Sequence, residues 1–429
     1  MADGVSGNLV GTWLLIPELL RLGAWDLLLG WTGQPAMRVE PRIALQLVYE
    51  AALCSPSSLR AKGALGQKGL ELACGLHFIA SDPAVHYLLD EHTYAEAVAL
   101  QVGLGQRRRD RGHFPGPTLL IDPHRITSYT KRQERLRKDH HGGRAIKTVQ
   151  TFFCVDALTS QPLCCTLTSS APSVSQATPE LLRMAAEILN PDPGQFLAVA
   201  DAEHFTVDLV EHVAQGTPFD MLVPAPNQRR ITRLVNDIDD TCFQPAWPGY
   251  ATTKVPFHFA EGHQAPYSLF VQRTGERPCD YERKAFLCTA ERDELPAMAR
   301  HYPDRWHIEE FFNRDQAIGW NRARTMNMNI RYGLLSMSLI AQAAMYQMRQ
   351  RLGTPFDQWD AKHLSHGLLH ALNGDIGVQS DTIVVTFYNA PHTDRLRTEF
   401  QGLPTKLGEE GVDPHIPWLY DFKLDFRFK

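Results

Sequence analysis

The chain has 429 residues with 44% hydrophobic and 21% charged residues and a net charge of −5, values typical of a globular protein of two or three domains. No run of about 18 apolar residues occurs, so no membrane-spanning helix is predicted, and the eight cysteines include no CxxC pair, which argues against a zinc ribbon and a disulfide framework. The N-terminus lacks the features of a signal peptide, so we expect a protein of the reducing cytoplasm with no membrane partner.

Positive charge is concentrated in two segments of this acidic chain. Residues 101–150 hold twelve Lys or Arg against four Asp or Glu, and residues 300–351 hold eight Arg against four acids. These segments therefore carry net charges of +8 and +4, which leaves −17 for the remainder of the −5 chain. Such a distribution is typical of a nucleic-acid interface, although two solvated helical faces explain it equally well from charge alone.

The N-terminal part of the chain, residues 1–105, is predicted to be helical. Residues 41–54 have apolar side chains at helical spacing, and Ser81 followed by Pro83 suits the start of a later helix. Several short helices in succession indicate either a DNA-binding domain or an all-α dimerisation domain. The charged segment 106–117, with its Gly and Pro residues, is interpreted as a basic linker.

From residue 118 onward the pattern changes to that of a mixed α/β sheet. The apolar runs 118–122 and 195–201 each end in an aspartate, and residues 147–170 predict two strands joined by a turn. A helix with a Thr cap is predicted over 178–189 and a further strand over 219–226. Strands that alternate with helices in this way are typical of an α/β fold.

The remaining segments complete a predicted division of the chain. The expected regions are 1–105, a helical DNA-binding or dimerisation domain; 106–117, a basic linker; 118–225, the first part of the α/β core; 226–295, a β-rich insertion; 296–351, core helices; and 352–429, a C-terminal strand and tail.

Three acids are distinguished by their placement. Asp122 and Asp201 end apolar runs, and the carboxyl ends of buried strands are where functional groups collect in α/β sheets. Glu309 and Glu310 are adjacent in the aromatic segment YPDRWHIEEFF, residues 302–312. Three converging carboxylates repel one another unless a cation lies between them, and hard divalent cations such as Mg²⁺ bind to such groups.

Helical spacing distinguishes between the two glutamates. At about 100° per residue, Arg305 lies 300° and Glu309 340° beyond Tyr302, so the three share one stripe with Gln316 near it. Glu310 lies about 100° farther round, and Glu309 is therefore the favoured metal ligand. Trp306 is interpreted as a core residue, with stacking on a displaced base as the alternative.

These motifs resemble those of bacterial insertion-sequence transposases with a DDE triad. The segment YPDRWHIEEFF is similar to the Y-(2)-R-(3)-E-(6)-K signature of that family, and LLIDPHR and VADAEHF resemble the surroundings of its first and second aspartates. The resemblance covers about residues 115–350 and implies an RNase H-like catalytic core with a β-rich insertion, preceded by an all-α N-terminal region. Gln316 occupies the position of the signature lysine.

The resemblance implies a DNA transposase with a defined set of site residues. Asp122, Asp201 and Glu309 are then the catalytic residues and hold two Mg²⁺ ions, with Mn²⁺ expected to substitute. Tyr302 and Arg305 contact the DNA backbone, where Gln316 donates a hydrogen bond without charge. The expected partners are double-stranded DNA with insertion-sequence terminal repeats, target DNA and a second copy of the chain, which forms a homodimer on DNA associated with the bacterial nucleoid.

A second basic tract and two alternative functions complete the expectations. The run 131–138 is a solvated segment by default, but beside Asp122 it becomes a surface that follows DNA phosphates through Lys131, Arg132, Arg135 and Lys138. The alternatives to a transposase are an RNase H-fold nuclease without strand transfer and an inactive transposase-derived DNA-binding protein. Metal-dependent strand transfer would distinguish a transposase from the nuclease. Metal-independent, salt-sensitive DNA binding without cleavage would identify the inactive derivative.

Overall fold

The computed structural model describes residues 5–55, 65, 68–129, 131, 136–138, 145–168, 173–259, 267–322 and 325–429. The chain divides into two compact units. We call Arg109–Phe312 the central unit, and Met1–Arg108 together with Asn313–Lys429 the terminal unit. None of the helices in the described ranges is long and apolar enough to cross a bilayer.

The strands of the described chain are β1 (Val5–Gly7), β2 (Thr118–Thr127), β3 (Leu136–Lys138), β4 (Ala145–Asp156), β5 (Gln161–Thr168), β6 (Leu197–Ala200), β7 (Asp220–Pro224), β8 (Gln244–Trp247), β9 (Tyr250–Phe257), β10 (Tyr267–Thr274), β11 (Glu282–Cys288), β12 (Gly374–Gln379), β13 (Thr382–Phe387), β14 (His415–Ile416) and β15 (Phe422–Phe428).

The α-helices of the described chain are α1 (Ile16–Arg21), α2 (Ala24–Thr32), α3 (Glu40–Ala52), α4 (Gly69–Ala73), α5 (Asp82–Glu91), α6 (Tyr94–Asp110), α7 (Val174–Leu189), α8 (Val207–Gly216), α9 (Arg229–Asn236), α10 (Glu294–Pro296), α11 (His307–Asp315), α12 (Met328–Leu352), α13 (Ala361–Leu364), α14 (Thr393–Phe400) and α15 (Leu403–Glu409).

The central unit is built on one mixed sheet. Its order is β3-β4-β2-β6-β7-β11-β10-β9-β8, and β5 pairs with β4. Strands β2, β4 and β5 are antiparallel, whereas β6 pairs in parallel with β2 and β7 in parallel with β6. Helix α7 connects β5 to β6, and α8 connects β6 to β7. Three antiparallel strands followed by two parallel ones confirm the predicted α/β class and its RNase H-like core.

Apolar sequence explains why these strands form the centre of the sheet. All four residues of β6 and the first four of β2 are buried, as expected for strands covered on both faces. Helix α7 begins at Val174, one turn before the Thr cap that the sequence suggested. Ser173 forms a capping box with Gln176, and the missing N–H of Pro179 is tolerated inside the helix.

The β-rich insertion predicted after β7 continues the same sheet. Strands β8 to β11 form an antiparallel meander, and β11 pairs with β7 through Phe286 opposite Pro224 and Cys288 opposite Leu222. The sequence indicated short strands but not their partners, because pairing depends on residues about 60 positions apart. The insertion therefore extends the core sheet past β7.

The terminal unit combines helices with a second sheet of order β1-β12-β13-β15-β14. The 25-residue α12 is buried along most of its length and packs on α3 and α5. The N-terminal region is helical as predicted apart from β1, a three-residue strand that pairs with β12. Helix α6 continues to Asp110, so the first part of the predicted linker is helical, since arginine is a good helix former.

Candidate active site

Asp122 and Asp201 lie on neighbouring strands where the parallel pairing of β2 and β6 stops. The last paired residues are Ile121 and Ala200, so Asp122 is the next residue of β2 and Asp201 directly follows the end of β6. Strand β2 itself continues along β4 to Thr127, which corrects the expectation that it ends at Asp122. Both carboxylates therefore lie just beyond the point where the parallel pairing of the two apolar runs ends.

The ionisation of Asp122 reflects a crowded acidic environment. Burial, the neighbouring carboxylate of Asp201 and, more weakly, that of Glu309 raise the pKa of Asp122 to about 7. Arg305 and Arg125 act in the opposite direction. Arg305 Nη1 lies 3.5 Å from Asp122 Oδ1, a long ion pair. The acidic charge at this site is thus only partly balanced by the protein.

Asp201 is held in place by the short helix that follows it. Its carboxylate caps the 3₁₀ turn Ala202–His204, accepting a hydrogen bond from the Glu203 N–H at 3.0 Å and from His204 Nδ1 at 2.7 Å. Burial favours a higher pKa for Asp201, but the hydrogen bonds from His204 and Glu203, with the charge of Arg305, hold the pKa below its usual value. Asp201 is therefore kept ionised and oriented by neighbours.

Glu309 lies on helix α11, and this helix places it near the aspartates. Ile308, Phe311 and Phe312 on this helix are buried, and both phenylalanine rings pack against Phe153 of β4 at 5.4 and 5.5 Å. This packing leaves Glu309 half-buried, where its charge acts on Asp122, whereas Glu310 is exposed. Asp201 and Glu309 thus both lie within electrostatic range of Asp122, whereas Glu310 is in solvent.

The helical stripe expected from Tyr302 to Gln316 is wrong in its geometry. The chain forms a π turn over Ala297–His301 and a 3₁₀ helix over Pro303–Trp306 before α11 begins. Pro303 lacks an N–H, so a regular α-helix cannot form through it without losing a bond. Tyr302 and Arg305 still share a face, because a 3₁₀ helix has three residues per turn. Gln316 starts a separate 3₁₀ turn in the terminal unit, beyond the end of α11.

The two aromatic residues of this segment occupy different environments. The Tyr302 ring packs edge-on against Phe286 of β11 with centroids 4.6 Å apart. It also lines a cleft of about 570 Å³ together with Ala202, the residue after Asp201. Trp306 is 59% exposed, which corrects its interpretation as a core residue. It is the last residue of the 3₁₀ helix Pro303–Trp306.

The predicted phosphate-following tract is described only in part. Lys131 is exposed. Arg132 and Arg135 lie outside the described residues, and Lys138 is described by its backbone in β3 but not by its side chain.

Sequence analysis missed two polar residues around the aspartates, His204 and Arg125. His204 is fully buried against Asp201, and Arg125 forms an ion pair with Glu203 and donates to Gln150 at 3.3 Å. The Asp-x-x-His spacing in VADAEHF is a signal for the capping contact of His204. Arg125 gave no such signal, because residues three apart on an ideal strand point to opposite faces.

The donor set of the site fits a hard divalent cation. Carboxylate oxygens are the ligands that Mg²⁺ and Mn²⁺ prefer, and the raised pKa of Asp122 marks acidic charge that the protein does not neutralise. Within the described residues, no three His, Cys, Asp or Glu side chains are close enough to hold an ion as they stand.

Comparison with known proteins gives a family match and a likeness to solved structures. Residues 113–342, more than half of the chain, match the family model described as "Transposase DDE domain". Among solved structures, the chain is similar to a piggyBac transposase in a synaptic complex with hairpin DNA, with 10% identity over 83% of this chain and 79% of that chain. The TM-score of 0.44 is too low for that likeness to support any conclusion. No curated protein matches the chain in sequence. Because this family model matches more than half of the chain, in a range that includes both aspartates and Glu309, the chain belongs to the family of transposases with a DDE domain.

Proposed function

We propose that this protein cleaves DNA at the ends of an insertion sequence and transfers the freed 3′-OH to target DNA. The observation that supports the proposal is the electrostatic effect of Asp201 and Glu309 on Asp122, at the edge of the parallel pairing and inside the matched transposase domain. Water attacks the phosphorus and the P–O3′ bond breaks. The released 3′-OH then attacks a phosphorus of the target, whose own P–O3′ bond breaks in turn.

Asp122, Asp201 and Glu309 would hold two Mg²⁺ ions, which Mn²⁺ could replace. Such ions supply Lewis acidity at the scissile phosphate and stabilise the leaving oxygen. The hydrogen bonds from His204 and the Glu203 N–H fix the direction of the Asp201 carboxylate. The packing of Phe311 and Phe312 on β4 fixes the inward face of α11.

DNA contacts are proposed for the cationic and polar residues around this site. Arg305 carries a planar fork of donors suited to a phosphate, and Tyr302 lies one 3₁₀ turn before it. Gln316 and the tract residues Lys131, Arg132, Arg135 and Lys138 are proposed as further DNA contacts. We also propose that residues 1–105 bind DNA or mediate dimerisation, since two element ends must be held together, and that the protein acts as a homodimer in the cytoplasm.

The decisive experiment compares two adjacent glutamates on DNA that carries the element's own ends. Purified wild-type protein, Glu309→Gln and Glu310→Gln are incubated with this linear DNA in Mg²⁺ or in EDTA, and cleaved and joined products are separated on a gel. We expect Mg²⁺-dependent cleavage and joining by the wild type and by Glu310→Gln. The Glu309→Gln variant is expected to bind DNA without cutting it.

Other outcomes identify other functions. Loss of cleavage in Glu310→Gln alone would mean that the ligand assignment on α11 is wrong. Cleavage without joined products indicates a nuclease on the same fold. Wild-type protein that binds the ends in a salt-sensitive manner but never cuts them is an inactive DNA-binding derivative, and the proposal then fails.

A further inference from the structure

Helix α9 in the insertion begins with positive charge, at the end where the helix dipole disfavours it. Arg229 and Arg230 open the helix and Arg233 follows one turn later, with no acid in the first turn and no side-chain cap from Gln228. The residue at the C-terminal end is Asp237. A helix N-terminus carries partial positive charge, so arginines there reduce helix stability. Arg229 and Arg233 are also a like-charged i,i+4 pair, which is destabilising.

The charges of Arg229 and Arg233 are not paired with any acid in the part of the chain that the structure describes. Arg229 and Arg233 are exposed, and no described residue donates to, accepts from or forms an ion pair with their side chains. The neighbouring Arg230 differs, because it donates to the His258 carbonyl at 2.9 Å. The nearby acid Asp240 is already paired with Arg273 and Arg283, at 2.9 and 2.7 Å.

The position of α9 connects these arginines with the candidate active site. Thr232 and Asn236 of α9 line the 570 Å³ cleft whose lining also includes Ala202 and Tyr302. On a helical wheel Asn236 lies at 340° from Arg229 and Arg233 at 40°, at about 100° per residue. Arg229 and Arg233 therefore lie about 20° and 60° beyond Asn236 round the helix, outside the lining and on the side of Asn236.

We propose that Arg229 and Arg233, here called the α9 stripe, bind the phosphate backbone of DNA that runs along this cleft to the carboxylate site. The inference rests on the proposed function, because it requires that DNA binds at the carboxylate site that contains Asp201. The occupant is favoured by charge, since two unbalanced guanidiniums complement phosphates. It is also favoured by reach, since the two residues are about 6 Å apart along the helix axis, which suits phosphates of one strand. Lys284, which also lines the cleft, adds to its positive charge.

The test measures DNA binding in EDTA, so that it does not depend on catalysis. The double variant Arg229→Gln/Arg233→Gln is compared with Arg183→Gln/Arg277→Gln, a control that removes the same charge from exposed positions of the same unit. Affinity is measured at several salt concentrations for a duplex with the element's ends and for a duplex without them. We expect the α9 double variant to bind about 30-fold more weakly at 0.15 M salt, with a log–log salt slope shallower by about 1.8. The control should change far less.

The two duplexes show which DNA the α9 stripe binds, and several outcomes would refute the inference. An effect confined to the duplex with ends assigns the stripe to element-end DNA, and an effect on both duplexes assigns it to backbone binding in general. Unchanged affinity and slope relative to the control would overturn the stripe. A lower melting temperature of the α9 double variant than of the wild type would also overturn it, since the arginines would then be structural. Wild-type binding without cleavage removes the proposed function but leaves the salt slope as a test of the stripe.

Discussion

The terminal and central units each contain a cluster of carboxylates and arginines, and the two clusters differ in how closely their charges are matched. In the terminal unit, Glu18 is fully buried and accepts from Arg21 at 2.6 Å and from Gln347 at 3.1 Å. Arg351 joins the cluster through Glu399 and Glu410, both at 2.6 Å. In the central unit, Asp122 has only a 3.5 Å contact with Arg305 while two further carboxylates act on it.

The comparison separates a structural cluster from a site prepared for a ligand. Burial raises the pKa of Glu18, but close arginines and an amide satisfy its oxygens. A complete cluster of this kind restricts the packing of the terminal unit. At Asp122, by contrast, burial and the neighbouring carboxylates of Asp201 and Glu309 disfavour the charged form. A bound cation would offset both effects, and this is the physical argument for metal binding there.

The largest expected effect is on catalysis. We expect Asp122→Asn to reduce Mg²⁺-dependent cleavage about a thousandfold or more, since one member of a catalytic set is removed. The same change should raise the melting temperature in EDTA by a few degrees, because a buried repulsive charge disappears. Gel assays and calorimetry on one preparation measure both. A variant that is inactive and also less stable would contradict the view that Asp122 is held in place against repulsion.

The matching change in the terminal unit should have the opposite effect on stability. We expect Glu18→Gln to lower the free energy of unfolding by about 3–5 kcal/mol, because Arg21 loses its buried partner. Glu409→Gln, at an exposed position of the same unit, should change it by less than about 0.5 kcal/mol. Denaturant titration followed by tryptophan fluorescence measures the difference. Equal effects of the two variants would show that the Glu18 cluster is not structural.

His204 tests whether the orientation of Asp201 matters. We expect His204→Ala to raise the Mg²⁺ concentration for half-maximal cleavage about 10- to 100-fold, as for other residues that orient metal ligands. His204→Asn should recover part of the loss, since its amide can donate near the position of Nδ1. His212→Ala, on the exposed surface of α8, is the control. An unchanged Mg²⁺ requirement in His204→Ala with reduced stability would assign His204 to packing alone.

The smallest effect concerns pH. The folded-state pKa of Asp122 is about 7 against a usual value of 3.8, so the folded protein binds the additional proton between these values. Stability without metal should therefore fall as pH rises from about 4 to about 7, and the part of that fall due to Asp122 should be absent from Asp122→Asn. Mg²⁺ should raise the melting temperature more at pH 8 than at pH 6, since the proton must leave first. Identical pH profiles of the wild type and Asp122→Asn would refute the assignment.

The sequence was sufficient for the fold class and for most of the candidate site. The apolar runs that end in Asp122 and Asp201, and the alternation of strands with helices, are local patterns, and the α/β class that they predicted is the one observed. Glu309 was favoured over Glu310 on an α-helical phase that Pro303 interrupts, yet the favoured residue is the one near Asp122. What places Glu309 on the side of Asp122 is the burial of Ile308, Phe311 and Phe312, which fixes the inward side of α11.

Sequence by itself determined where the strands lie, which carboxylates end or follow them, and which segments concentrate positive charge, because each depends on neighbours within a few positions. Only the tertiary structure decided that β8 to β11 extend the core sheet, that β1 pairs with β12, and that His204 and Arg125 surround the aspartates. These arrangements join residues far apart in sequence or depend on side-chain direction. Their free energies come from burial and charge balance in the folded chain, which no local pattern records.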